Sequence, residues 1–196
     1  MEPLYDLLIA IHVISFVFMS IPLFNLIVVS ERGRFGPDFN YSIDNYMENI
    51  LRGGAIRCFV FQASVGITGL LLIFIGPLGI EALWTNWIIT LKTVLLFTLI
   101  ALLSRVHFKI QPDIDSLIAW IDPETPPSKD ITDAIKPLRI FRKKLASFCL
   151  FIVLAIIIFG LQVYSAFTPL LTGSLLILAA LFSRMAYTKG IPFGWM

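Results

Sequence analysis

Apolar and polar positions along the chain fall into long blocks rather than into short alternations. Nearly uncharged runs occupy residues 4–29, 55–75, 83–104 and 145–183, separated by segments rich in charge, glycine and turn residues. A helix crossing a hydrocarbon layer of about 30 Å takes roughly 20 residues, so each of the first three runs suits one span. Leu145 to Ser183 holds 39 residues without a charge, about twice one span. Tyr164, Ser165, Thr168 and Pro169 supply a turn within it. The pattern predicts an all-α, polytopic membrane helix bundle of five transmembrane helices, at about 4–29, 55–75, 83–104, 145–165 and 170–187. Only 14 uncharged residues of the fifth precede Arg184, which has to snorkel, so four helices is the alternative. Strands of a membrane barrel need alternating ten-residue segments, and none occurs.

Landmarks refine these elements. Pro22 is expected to kink the inner half of the first helix. The leader MEPLYD has no positive charge and the apolar run after it is too long for a signal-peptide core, so the segment is read as retained. Trp84 and Trp87 suit a membrane interface at the entry to the third helix. Residues 105–144 are expected to form a loop, with Ile131, Ile135 and Leu138 at helical spacing beside Lys136, Arg139, Arg142, Lys143 and Lys144. That segment reads as an amphipathic surface helix against anionic lipid.

Charge then sets the orientation. Of the 15 lysines and arginines, 14 lie on one side of a five-helix bundle, and Lys92 alone lies within a span. The positive-inside rule puts the N-terminus outside and the C-terminus in the cytoplasm. Composition agrees with a membrane solvent: 58% of residues are hydrophobic and 14% charged, too apolar for a water-soluble core with a polar surface. The 196 residues read as a single transmembrane domain. Cys58 and Cys149 fall near the cytoplasmic face, where thiols stay reduced, and their spacing suggests no metal site. No phosphate loop, nucleophile elbow, zinc motif or repeat appears, and nucleic-acid binding has no motif support.

Ionisable groups inside spans carry the candidate chemistry. His12 lies about 10 Å below the outer surface, and Lys92, five residues past Trp87, falls at the same level. A lysine there costs about 2–3 kcal/mol on insertion scales, and such groups usually face a partner, a cavity or a ligand. Lys92 can also snorkel. His12 is either a neutral imidazole bonded to a carbonyl or a hydroxyl such as Ser15, or an axial ligand to haem iron. Gly66 and Gly69 of the second helix would let a flat macrocycle approach the backbone, or serve helix contact. His107 is at the far end of the third helix, too distant from His12 to share one metal. Asn25 and Gln62 are read as bonding each other across helices one and two, with a quinone pocket shared with His107 and Arg57 as the alternative set aside.

LLIAIHVISFVF in the first run, MENILRGGAIRCFVFQASVGITGLLLI leading into the second, and Trp87 followed by Lys92 in the third together resemble the HemJ-type protoporphyrinogen oxidases, to which the CopD-like copper resistance proteins are related folds. The resemblance covers roughly the first 105 residues, with PLRIFRKK before the fourth run as a weaker match. The Trp to Lys spacing is one residue longer here, and a fifth helix is added. The resemblance implies bound haem b, with His12 and Lys92 at the family's functional positions, and a bacterial inner-membrane location.

Two functional classes follow. In the first the chain is a haem b protein passing electrons to or from a quinone, a porphyrinogen or a partner subunit, either as a protoporphyrinogen oxidase-like enzyme or as an electron-transfer subunit. His12 is then the iron ligand, and Lys92 the opposite ligand or the partner of a haem propionate. In the second it is a non-enzymatic subunit, structural or copper-handling, with His12 and Met19 as soft ligands. In either class the expected partners are the lipid membrane and other membrane subunits or a second copy of the chain.

Overall fold

The computed structural model describes residues 2–21, 32, 39–125, 127–163 and 165–188. Among these there is no strand, and helices run in the order α1 (Glu2–Met19), α2 (Tyr41–Ile75), α3 (Ala82–Thr85), α4 (Trp87–Arg105), a π-helical turn (Val106–Ile110), α5 (Gln111–Ala119), α6 (Lys129–Leu161) and α7 (Pro169–Thr188). Four helices are long and apolar enough to cross a membrane: α2, the continuous unit from α4 through α5, α6 and α7. The described part of α1 is apolar but shorter. The rest of the predicted first helix, with Pro22 and Asn25, lies outside the described residues.

Many large apolar side chains face outward along these helices, among them Val60, Phe74, Phe97 and Ile177. Such a belt suits lipid rather than water. The central core is built from one face each of α1, α2, α4 and α6: Met19, Cys58, Val65, Leu99, Cys149, Ile152, Val153 and Ile156. Helix α1 packs on α2, α4 on α6, and α6 on α7. The last pair is also tied by the Ser147 hydroxyl, which donates to the Ser183 carbonyl at 2.7 Å.

The predicted fifth helix is found within a residue at either end, begun by Pro169. Thr168 accepts from the Leu171 N–H there, a cap on the first turn. The predicted third helix is divided: α3 ends at Asn86, whose side chain accepts from the N–H groups of Ile88 and Ile89 and starts α4.

The larger differences concern segments read as loops. Residues 105–144 are mostly helical, because α4 continues through the π-turn into α5 and α6 begins at Lys129 rather than near 145. Likewise α2 starts at Tyr41, 14 residues before the predicted start at 55. At 35 residues α2 is about 52 Å long, so some 20 Å projects beyond a hydrocarbon layer of about 30 Å. The extensions of α2, α5 and α6 meet at one end, here called the basic end. They have a core of their own in Ile110, Ile114, Ile118, Ile121 and Ile135.

Charge pairing explains why these polar stretches are helical. Asn40 accepts from the Ile43 N–H, and the Asp44 carboxylate accepts from the Asn40 N–H at 2.9 Å. Asp44 is also well placed for the positive end of the helix dipole. Asp44 and Glu48, one turn apart, are only 1% and 2% exposed. Asp44 pairs with Arg32 at 2.8 Å and with Arg139. Glu48 pairs with Arg139 at 2.9 Å and with Arg142. Gln111 of α5 donates to Glu48 at 3.0 Å and accepts from Arg142 at 2.7 Å. On the rim, Arg52 pairs with Asp115 at 2.7 Å.

Both buried carboxylates lie on the extension, outside the apolar span. Burial pushes their pKa values up, but hydrogen bonds and charge from the arginines outweigh it, and both stay below the ordinary carboxylate range. Lowered folded-state values mean that their contribution to stability is full at neutral pH and fades as pH falls below about 4. Removing one partner of such a cluster leaves an uncompensated buried charge, which costs about 3–5 kcal/mol. We expect Glu48→Ala to lose that amount in denaturant unfolding of the purified protein, whereas Lys136→Ala, an exposed site, stays within about 0.5 kcal/mol.

Candidate functional site

His12 and Lys92 sit on different helices in the apolar part of the bundle. The His12 imidazole, on α1, reaches across to α2, where its Nδ1 lies 2.9 Å from the Thr68 hydroxyl. The Thr68 hydroxyl is itself 2.6 Å from the Ser64 carbonyl. A carbonyl only accepts, so the Thr68 proton goes to Ser64 and the Thr68 oxygen accepts from His12. With the Thr68 proton assigned to Ser64, the His12 proton is assigned to Nδ1 and the lone pair to Nε2, the arrangement of a metal-binding histidine oriented through its other nitrogen. The hydroxyl partner is Thr68 rather than the expected Ser15.

The two glycines have separate roles. A Cβ on Gly69 would lie 3.2 Å from His12 Cε1, so the missing side chain lets the imidazole rest against α2. A Cβ on Gly66 would meet Leu96 at 3.6 Å, which makes Gly66 part of the ordinary contact between α2 and α4.

Lys92 projects from α4 toward α6, with its Nζ beside Gly160. Among the described residues it has neither an ion pair nor a hydrogen bond. Its charge is close enough to act on His12. One imidazole with an open lone pair and one unpartnered ammonium thus share a level of the bundle.

The other candidates lie toward the basic end. A cavity of about 80 Å³ runs between α2, the α4–α5 unit and α6. Gln62 and His107 both line it. Arg57 does not, because it is exposed and donates to the Gly53 carbonyl of its own helix. Arg142 lines the cavity instead. Cys58, Cys149 and Met19 also face it, and the Cys58 thiol points at the Met19 carbonyl, 3.7 Å away. Both cysteines are free. Met19 therefore belongs with the cysteines in the central core rather than with His12. Among the described residues no group of three or more His, Cys, Asp or Glu could hold a metal ion.

Compared with known families, curated proteins and solved structures, the chain matches none.

The Thr68 hydrogen bond has a direct spectroscopic consequence. In ¹⁵N-histidine-labelled protein, His12 should show a protonated Nδ1 and an unprotonated Nε2. Thr68→Val should mix the tautomers, and an unchanged spectrum in that variant would remove Thr68 as the residue that sets them.

Proposed function

We propose that the chain is an integral membrane protein that binds haem b and carries electrons, with His12 as an axial ligand. The observation that supports this best is the contact of His12 Nδ1 with the Thr68 hydroxyl, itself bonded to the Ser64 carbonyl, which leaves Nε2 to bind iron in the middle of an apolar bundle. The residues fit the group in a second respect, since Lys92 offers an unpartnered ammonium at the same level. It would hold a haem propionate or serve as a second iron ligand. Bound haem supplies one-electron transfer, to or from a quinone, a porphyrinogen or a partner subunit. The chain supplies orientation: Thr68 fixes the ring of His12, Gly69 seats it against α2, and the apolar faces of the helices exclude water. The resemblance of the His12 and Lys92 segments to HemJ-type proteins points the same way.

In this reading the N-terminus lies outside, the basic end faces the cytoplasm of a bacterial cell across its inner membrane, and α1 belongs to a fifth span. Other membrane subunits or a second copy of the chain are the protein partners. The second reading is a structural or copper-handling subunit, and it has one observation of its own: the sulfur-bearing side chains of Met19, Cys58 and Cys149 share the central core.

A reduced-minus-oxidised visible spectrum with a pyridine haemochrome assay separates the two. We expect a b-type signal near one haem per chain, its loss in His12→Ala with the protein still inserted, and an altered spectrum or potential in Lys92→Met. A flat spectrum from protein made with ample haem, together with copper found by metal analysis, would transfer support to the second reading.

A further inference from the structure

Buried polar atoms almost always have hydrogen-bond partners, and each exception calls for an explanation. Three such exceptions line the cavity at the basic end: among the described residues, Gln62 Oε1, His107 Nδ1 and Arg142 Nε are buried without a partner. Gln62 and Arg142 are only 3% and 6% exposed. The remaining wall is largely apolar, with Leu99, Leu103 and Val153 along it. The space is several times what a single buried water occupies.

The three groups are held by different means. Two of the Arg142 nitrogens are occupied by Glu48 and Gln111, so the guanidinium is anchored and its Nε–H is left over. His107 lies in the π-turn, a local change of helix type that often marks functional sites. Its ring is flanked edge-on by Phe59 and Phe108. Gln62 lies about three turns along α2 from Leu51, the α2 lining residue nearest the basic end. The cavity is thus an apolar slot with a fixed donor and His107 toward one end and an amide toward the other.

We propose that this slot binds the headgroup of a membrane quinone. A quinone is flat and apolar with a carbonyl at each end, and it reaches such a slot from the lipid. A carbonyl accepts from Arg142 Nε–H or a protonated His107 nitrogen when the ring sits toward one end of the slot, and from the Gln62 amide when it sits toward the other. The corresponding quinol donates instead, and both Gln62 and His107 can turn from donor to acceptor, by amide rotation and by tautomer. A site lined by one fixed donor and two ambivalent groups therefore accommodates both redox forms. The choice of a quinone over other amphiphiles rests on the redox reading above, whereas the ligand-binding character of the slot does not.

Photolabelling of the full-length purified protein in lipid nanodiscs tests this, with a short-tailed azido-benzoquinone as probe and mass spectrometry of the labelled peptides. Label is expected on the cavity faces of α2, the α4–α5 unit and α6. A decyl-benzoquinone should displace it and decanoate should not. Gln62→Leu and His107→Phe should each lower labelling about fivefold, as one lost hydrogen bond implies. Ala146→Leu, which narrows the slot without touching a polar atom, should do the same and serves if a polar variant does not accumulate. Label confined to lipid-facing positions such as Val60 and Phe97, undiminished labelling in folded variants, or displacement by decanoate alone would overturn the proposal, and the last would identify an anionic amphiphile. Haem is measured on the same samples. Labelled protein without haem would overturn the haem reading alone, and haem-loaded protein without cavity label would overturn the quinone site alone.

Discussion

Two carboxylates taken out of water by three arginines set the geometry of the basic end. Asp44 and Glu48 extend from α2, Arg139 and Arg142 from α6, and Arg32 from the segment between α1 and α2. A buried cluster of this kind is weak evidence of net stability, since desolvation cancels much of the attraction. Its stronger effect is on register. Asp44 and Glu48 are one turn apart and the two arginines of α6 nearly so, so a slip of either helix along the other would leave a charge unpaired in an apolar surrounding. That penalty fixes where α6 stands against α2 and leaves Arg142 Nε toward the cavity.

The spans were legible because lipid makes a simple demand, a run of apolar residues of fixed length. The 39 uncharged residues from Leu145 required two helices, and α6 and α7 divide them near Gln162. The extensions were not legible by the same rule. YSIDNYMENILRGG and the basic segment before residue 145 carry the charge and glycine that ordinarily mark loops, and their helicity depends on ion pairs between residues more than 90 positions apart. A trace of this was present in the sequence. Asp44 with Glu48 and Arg139 with Arg142 are spaced four and three apart, so each pair lies on a single helical face. Complementary pairs at helical spacing in two supposed loops signal packed helices beyond the bilayer.

At the candidate site, the cost of an ionisable group in lipid singled out His12 and Lys92, and the fold brings them to one level. Thr68 escaped notice because hydroxyl residues in apolar helices commonly bond their own backbone. Thr68 does that too, toward Ser64, and it is this bond that makes its oxygen an acceptor for His12. The exchange of Arg57 for Arg142 at the cavity has a different origin. Arg57 is nearer to Gln62 in sequence, but the face it occupies on α2 points outward, and only the charge cluster brings an α6 arginine inward.

The two polar sites are held with unequal stiffness, and this bears on how each works. The slot near Gln62 and His107 is braced by a charged network and by the isoleucine core of the extensions, so its donors are in place before any ligand arrives. His12 is braced by one hydroxyl and one glycine contact, and Lys92 by no polar partner among the described residues. A group in that second condition keeps rotamer freedom until a ligand supplies its counter-charge, at a cost of roughly 0.5–1.5 kcal/mol for the ordering. Lys92 and His107 are 15 residues apart on the α4 unit, about 22 Å along the helix. Packed apolar side chains, Leu95, Leu99 and Leu103 among them, join the two levels along that length, and packing of this kind transmits strain rather than absorbing it.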